Sequence, residues 1–550
     1  MKRGILVLFA SALASFAQQT HDLVVYGGTA GGVITAVSGA REGLKVALLE
    51  PGSHLGGMAT GGLSRTDYGK KEVIGGRALE FYWRVGRKYD IQRFAQDVAW
   101  FYEPKVGEQV LREMLQQAGV SVFMRHRLRE KTGVEKSGTA VTAIVTEDGT
   151  RFNGGIFADC SYEGDLMAQA GVQYTVGRES QSQYGESLAG VRERTPFHQF
   201  QVRVSPFDAD GRLLPEVNPE PLAAPGSADK KVQAYNFRLI LSEDPSNQAP
   251  FPKPPGYEPK RYELLGRLLD ATAKKLGRAP RMNDVVLIAE IPNHKADINN
   301  QGAFSTDFIG KSWGYPDGDY RSRARIWRDH TDYTQGFFYF LGHDPRVPAS
   351  LRQEVNSWGL AKDEFPDTEN WPHQLYIREG RRMIGEFVVT QKDLQTDLKK
   401  PDAIGMGSYN SDSHNVQRVA NADGAAENEG DMQVAVTPYQ IPYRVMLPKR
   451  EQATNLLVPV CFSASHVAYS SLRMEPQYMI LGHAAGVAAS LALQGRKPVQ
   501  DISVASLQKE LTSQGVVFEW VQPSRGPAFF NTLFQLYESD TGKRTLIPGQ

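Results

Sequence analysis

Apolar runs and the glycine-rich breaks between them divide the chain into strands and small-residue helices. Residues 22–26 (Asp-Leu-Val-Val-Tyr) and 45–50 (Lys-Val-Ala-Leu-Leu-Glu) read as two strands. A glycine turn and a small-residue helix join them. Apolar positions at Val106, Val110, Leu111, Met114 and Leu115 recur at helical spacing and predict a helix over 104–118. Residues 120–128, 140–147 and 150–160 alternate as strands, with Asp148-Gly149 as a hairpin turn. Near the other end, 455–461 is a buried-strand candidate. Glu475-Pro476 then opens a helix rich in alanine and glycine, proline being at home in a first turn. One further helix and a strand are expected in 501–520.

The middle reads differently. Residues 207–230 are rich in Pro, Ala, Gly and Asp and predict an exposed loop. From about 235 to 375 aromatics, Pro, Asn and Asp become frequent and long regular patterns scarce, which suits a cap over a site. The aromatics of 313–340, among them Tyr315, Tyr320 and Trp327, are read as core. The expected fold is α/β: a Rossmann-like domain with a parallel sheet and a β-meander, plus an irregular α+β cap inserted before its last segment. The boundaries are 1–17 leader, 18–175 nucleotide domain, 176–450 cap, 451–500 nucleotide domain resumed, and 501–550 extension.

The turn between the first two strands carries the chemistry. Gly27 permits a tight exit from the strand, and amides at the start of the following helix suit a pyrophosphate. Gly32 lets that helix pack closely on the sheet. Glu50 falls where a ribose-hydroxyl acceptor belongs, roughly 20 residues on. Thr29 stands where a second glycine is usual. The glycine-rich 51–62 stretch, with Pro51, Gly56, Gly57 and Met58, follows directly and is expected to lie against the same ligand.

Bulk properties narrow the function. The 62 basic and 62 acidic side chains balance, so no strong field recruits nucleic acid. The opening Met1-Lys2-Arg3, the apolar run to Leu13 and the small residues Ser15 and Ala17 have the layout of a cleavable export leader, cut after Ala17. That places the mature protein in the periplasm or outside the cell, with no membrane anchor. Two cysteines, Cys160 and Cys461, are too few for an iron–sulfur cluster or a structural zinc site. They are expected as buried free thiols, with pairing the alternative. No metal-ligand motif stands out.

Four segments together resemble the bacterial FAD-dependent oxidoreductase family, flavoproteins of the glutathione-reductase-like superfamily. They are 22–50, 54–63, 158–166 and 455–489. The chain is also similar to the flavin portion of heterodisulfide reductase, without that enzyme's cluster cysteines. The resemblance implies non-covalent FAD, held by Gly27, Gly28, Thr29, Ala30, Gly31, Gly32, Glu50, Pro51, Gly56, Gly57 and Met58. Leu128 and Cys160, at the ends of their strands, and the turn Glu475, Pro476 and Gln477 complete the set. That turn is expected to face the flavin edge where negative charge grows on reduction.

Hydride abstraction beside a hydroxyl or amine needs a base, for which histidine suits. His466 is the first candidate and His414 the second. Arg473 and Arg382, the latter in the cluster Arg378, Arg381 and Arg382, are candidates for gripping a substrate carboxylate. A covalent flavin link through His54 is disfavoured by spacing. A single dinucleotide fingerprint gives no indication of NAD(P)H. The leading expectation is an exported oxidoreductase acting on a carbohydrate derivative or hydroxy acid, with an unknown electron partner. The alternatives are a flavoprotein passing electrons to a redox partner, or a non-catalytic carbohydrate-binding scaffold. Oligomeric state is not legible.

Overall fold

The computed structural model describes residues 18–89 and 98–521. The expected leader (1–17) and the chain after 521 lie outside the described residues. At the centre is strand β1 (Gln18–Tyr26), where Leu23, Val24 and Val25 are wholly buried. It pairs in parallel with β2 (Val46–Glu50), and β2 with β3 (Ser121–Met124). On its other side β1 pairs in parallel with β6 (Arg151–Asp159), so Tyr26 lies beside Asp159. The first half of β6 pairs antiparallel with β5 (Ala140–Val145), itself paired with β4 (Val134–Ser137). The second half takes Leu456–Leu457 in parallel. A strand some 300 positions later in sequence therefore completes the same sheet.

Two helices cover one face of this sheet. The first (Ala30–Arg41) follows the glycine turn and the late one (Glu475–Gly495) follows the returning strand. Their axes approach closely because glycines face each other's backbone. A Cβ on Gly486 would sit 2.6 Å from the Thr35 carbonyl oxygen, and one on Gly482 would overlap the Gly31 carbonyl. The late helix is apolar nearly all round, as a helix buried on every side must be.

The 235–375 stretch is more regular than its composition predicts. It holds an antiparallel five-stranded sheet in the order Val286–Ile291, Lys295–Asn300, Leu239–Ser242, Gly359–Ala361, Gln248–Ala249. It also holds the 24-residue helix Tyr320–His343. Both faces of that helix carry aromatics or arginines, which blurs the apolar period. Two other expectations fail: β4 is an additional strand, and no strand follows the helix Val504–Ser513 among the described residues. The 207–230 segment contains no helix or ladder strand, although Leu214 and Val217 are buried.

Buried ion pairs seat the cap sheet on the nucleotide domain. Arg238 grips Asp297 through two bonds of 2.8 and 2.7 Å, and Asp297 also accepts the amides of Ser64 and Arg65. The Lys295 ammonium lies 2.6–2.7 Å from Glu103, Asp363 and Glu364. That ammonium fills a carboxylate cluster which could otherwise resemble a cation site. Among the described residues no helix is long and apolar enough to cross a membrane.

Candidate flavin and substrate site

The glycine turn sits at the carboxyl end of β1, where open α/β sheets bind ligands. Gly27 has φ +98°, and a Cβ there would press to 2.6 Å from the Ser161 amide nitrogen. Thr29 serves as a helix cap: its hydroxyl donates to the Cys160 carbonyl (2.8 Å) and accepts from the Gly32 amide (3.1 Å). This ties the turn to the end of β6. A side chain on Gly32 would overlap the Gly27 carbonyl, which accounts for the glycine. The side chain of Glu50 accepts from the Gly28 amide (2.7 Å) and the Gly52 amide (2.5 Å). Burial pushes its carboxyl up to about 7 against the pull of those two amides.

In front of this turn lies a cavity of about 600 Å³, lined by Gly27, Thr29, Glu50, Pro51, Gly52 and Tyr162. A second of about 320 Å³ shares Thr29, Glu50 and Gly52 and reaches His54 and Gly57. The far wall of the larger cavity is the cap helix, not the nucleotide domain. Tyr320, Arg323, Ala324, Trp327, Arg328 and Thr331 face it at successive helical steps, and Tyr315 precedes them. Tyr315, Tyr320 and Trp327, expected in the core, therefore line the cavity, and Arg323 joins them without having been singled out by the sequence. The signal was present as a polar and aromatic stripe at i, i+3, i+4, i+7, i+8 and i+11.

Tyr162, in the wall of the larger cavity, leads from it to the late helix. Its hydroxyl accepts from the Met58 amide (2.9 Å) and donates to Glu475 Oε1 (2.6 Å). The glycine stretch therefore meets the first turn of the late helix. Glu475 Oε2, both polar atoms of the Gln477 side chain and Arg473 Nε are buried without a hydrogen-bond partner. Such atoms are rarely left unsatisfied. They suit the polar edge of a flavin ring, while the Ala30–Gly32 helix start and Glu50 suit the pyrophosphate and ribose. The residues present fit FAD.

The remaining cofactor candidates lie nearby with different roles. The Cys160 thiol is buried 3.5 Å from the Thr35 hydroxyl, and its carbonyl is taken by Thr29. Leu128 stands behind the cavity wall. Its side chain is in the core beside Tyr26, its amide donates to Tyr26 (3.1 Å), and its carbonyl accepts from Tyr320 (2.7 Å). Its neighbour Arg127 is the one that lines the cavity. Cys160 and Cys461 are both free and buried. His54 stacks on His373 (3.9 Å) and pairs with Glu108 (3.2 Å) and Asp367 (2.9 Å).

Both candidate histidines are oriented by carboxylates. His414 Nδ1 lies 2.6 Å from Asp307 Oδ2, and His466 Nδ1 lies 2.8 Å from Glu379 Oε2. Each carboxylate is backed by an arginine: Arg378 lies 3.1 Å from Asp307 and Arg382 lies 2.8 Å from Glu379. Gln233 links the two pairs, accepting from the His414 amide and donating to Glu379. Burial alone would push both acids up. For Asp307, Arg378 and His414 reverse this; for Glu379, His466 and Arg382 do so. Each is held at about 2. Their contribution to stability is full above the unfolded carboxylate range and is lost as pH falls towards 2.

Arg382 is not placed to grip a substrate carboxylate. Wholly buried, it lies against Glu179, Glu379 and the carbonyls of Ala464 and Gly177 and lines neither cavity, which removes it from the substrate's reach. Arg381 is likewise paired, with Asp165 and Asp317, while Glu386 accepts from the Arg450 amide and pairs with none of the three arginines. Arg473 bridges the two halves of the site. It donates to the Tyr376 hydroxyl (3.0 Å) and to the Asp412 carbonyl (2.8 Å), two residues from His414.

Glu50→Gln tests the ribose end. A glutamine side chain has one acceptor oxygen for two amides, so one amide loses its partner at a cost of about 1–3 kcal/mol. FAD affinity should fall roughly ten- to hundredfold in a flavin fluorescence titration. Unchanged affinity would separate Glu50 from the cofactor.

Among solved structures the chain is similar to OxyS anhydrotetracycline hydroxylase from Streptomyces rimosus: 15% identity, 33% of this chain, 41% of that chain, TM-score 0.21. It is also similar to p-nitrophenol 4-monooxygenase PnpA from Pseudomonas putida DLL-E4: 18% identity, 30% of this chain, 45% of that chain, TM-score 0.22. The chain thus spans less than half the length of either structure. At such overlap neither bears on this chain's substrate. No curated protein matches. The family model for FAD dependent oxidoreductase matches residues 22–511, nearly the whole chain. The chain belongs to the FAD dependent oxidoreductase family.

Proposed function

We propose that this FAD-dependent oxidoreductase works outside the cytoplasm and takes a hydride from a carbon bearing a hydroxyl in a small polar substrate, a carbohydrate derivative or hydroxy acid. The observation that carries the reading is the Arg378–Asp307–His414 series, tethered through Asp412 to Arg473 immediately before the late helix. Bound FAD, held non-covalently, supplies the two-electron acceptor. Asp307 fixes the His414 ring through Nδ1 and leaves Nε2 to take the substrate hydroxyl proton, an arrangement that orients a general base. His414 is preferred over His466 because Asp412, beside its Nε2 at 3.9 Å, is partly exposed. His466 instead joins the buried carboxylates Glu379 and Glu179. Tyr376, flanked by the guanidinium groups of Arg378 (4.5 Å) and Arg473 (5.8 Å), supplies a flat wall. Burial raises the Tyr376 hydroxyl above its usual value, so it stays a neutral donor.

The test is anaerobic mixing of the flavin-loaded protein with sugars, uronates, hydroxy acids and amines, followed by absorbance. Bleaching by a hydroxylated compound is expected. If dithionite bleaches the flavin and every organic compound fails to, the proposed substrate class is wrong.

A further inference from the structure

We propose that Glu475 acts as a neutral carboxylic acid at the amino terminus of the late helix, positioned by Tyr162 to give its proton to the flavin site when negative charge arrives there. The inference rests on the FAD assignment and deepens it.

The geometry around Glu475 is unusual for an acid. The residue is 4% exposed. Its Oε1 accepts from the Tyr162 hydroxyl at 2.6 Å, and that hydroxyl already accepts from the Met58 amide. The phenol proton is therefore committed to Oε1. Oε2 is buried without any partner. Besides Tyr162, the titratable groups that feel the carboxyl are the phenols Tyr82, Tyr102 and Tyr478. No ion pair joins Glu475 to a lysine, arginine or histidine among the described residues. Arg473, two positions earlier, turns to Tyr376 and Asp412.

A buried carboxylate without a cation costs several kcal/mol. The helix amino terminus favours a negative charge by up to about 2 kcal/mol, which is not enough to offset that cost. Burial accordingly pushes the carboxyl up to about 8, although the Tyr162 bond pulls the other way. The proton belongs on Oε2, the oxygen that Tyr162 leaves free. Gln477, the next residue of that turn with unpartnered polar atoms, is wholly buried.

Protons and electrons balance. Substrate oxidation sends two electrons and one proton to the site as hydride, and the hydroxyl proton to His414 Nε2. With FAD bound, the hydride would bring one negative charge to the site. Breaking the Glu475 Oε2–H bond would then supply the proton that neutralises that charge, leaving a carboxylate that keeps its Tyr162 hydrogen bond. The transfer reverses when the two electrons leave.

The test is infrared difference spectroscopy of the flavin-loaded protein, oxidised against reduced, with carbon-13 glutamate labelling. A protonated-carboxyl band should be present in the oxidised state, shift with the label, vanish on reduction and be missing in Glu475→Gln. At neutral pH the reduced cofactor should give the neutral spectrum in the parent protein and the anionic one in Glu475→Gln. Tyr162→Phe keeps the acid and should shift the band without removing it. An independent readout comes from folding. An acid whose folded pKa is raised loses the protein stability as pH climbs from the unfolded value through the folded one. Denaturation of Glu475→Gln should therefore depend less on pH between about 5 and about 8. Flavin-bound protein with no such band, or a band unchanged by reduction, overturns this proposal alone. Protein that binds no flavin overturns the FAD assignment with it.

Discussion

Gly482→Val should strip the protein of flavin and lower its stability by roughly 3 kcal/mol, the upper end for an overpacked core position. A side chain there overlaps the Gly31 carbonyl and sits 2.8 Å from the Thr35 hydroxyl. The late helix must then move off the first helix. Two parts of the site move with it: the turn whose amides suit a pyrophosphate, and Glu475 with Gln477. Flavin occupancy after purification should fall at least about tenfold, since a shift of an ångström or so in such contacts forfeits more than about 1.4 kcal/mol. Gly495→Ala, near the end of the same helix, is the control. Its Cβ would meet only the Lys497 side chain at 3.5 Å. It should change stability by less than about 1 kcal/mol, in the stabilising direction. Wild-type melting and full flavin content in Gly482→Val would refute the close crossing as a cofactor determinant.

The second large effect is expected at His414. Removing a general base costs typically about 10²- to 10⁴-fold, so His414→Gln should lose roughly that much turnover per bound flavin while keeping its flavin spectrum. Asp307→Asn should fall in the same range, because an amide no longer holds the imidazole with Nε2 free. His466→Gln separates the two histidines. With Glu379 lodged against Arg382 and Gln233, its main effect should be on stability, with turnover per flavin reduced less than about tenfold. If His466→Gln instead abolishes flavin reduction and His414→Gln leaves it intact, the roles are reversed. Stopped-flow reduction with a single substrate distinguishes these outcomes.

The nucleotide domain was readable because its constraints are local. The strand, glycine turn and helix of residues 22–41 need specific small residues at adjacent positions, and Glu50 follows at a fixed chain distance. The late helix was readable for the same reason, its proline start and small residues lying within one element. Thr29 looked like a departure from the fingerprint, yet its hydroxyl does a job no glycine can, bonding both Cys160 and Gly32. The cap was less legible. Its five strands pair across gaps of up to about 120 residues, and pairing of that kind leaves no short-range pattern. The stripe from Tyr320 to Thr331 recurs at helical spacing, but it mixes aromatic, basic and small residues, so no apolar period marks that face. Arg382 and Arg473 share a residue type and a plausible spacing, but only three-dimensional partners separate the guanidinium held among buried carboxylates from the one that bridges Tyr376 and Asp412. The two carboxylate–histidine pairs were half visible. The histidines stood out, whereas Asp307 and Glu379 lie 107 and 87 positions from them.

The most direct test of the account is an experimental structure of the protein with FAD bound. It should show one dinucleotide running from Glu50, past Gly27 to Gly32, to Glu475 and Gln477, with the Tyr320–Thr331 stripe against its adenosine half and no bond to His54. A flavin seated elsewhere, or one that leaves Glu475 and Gln477 untouched, would contradict it.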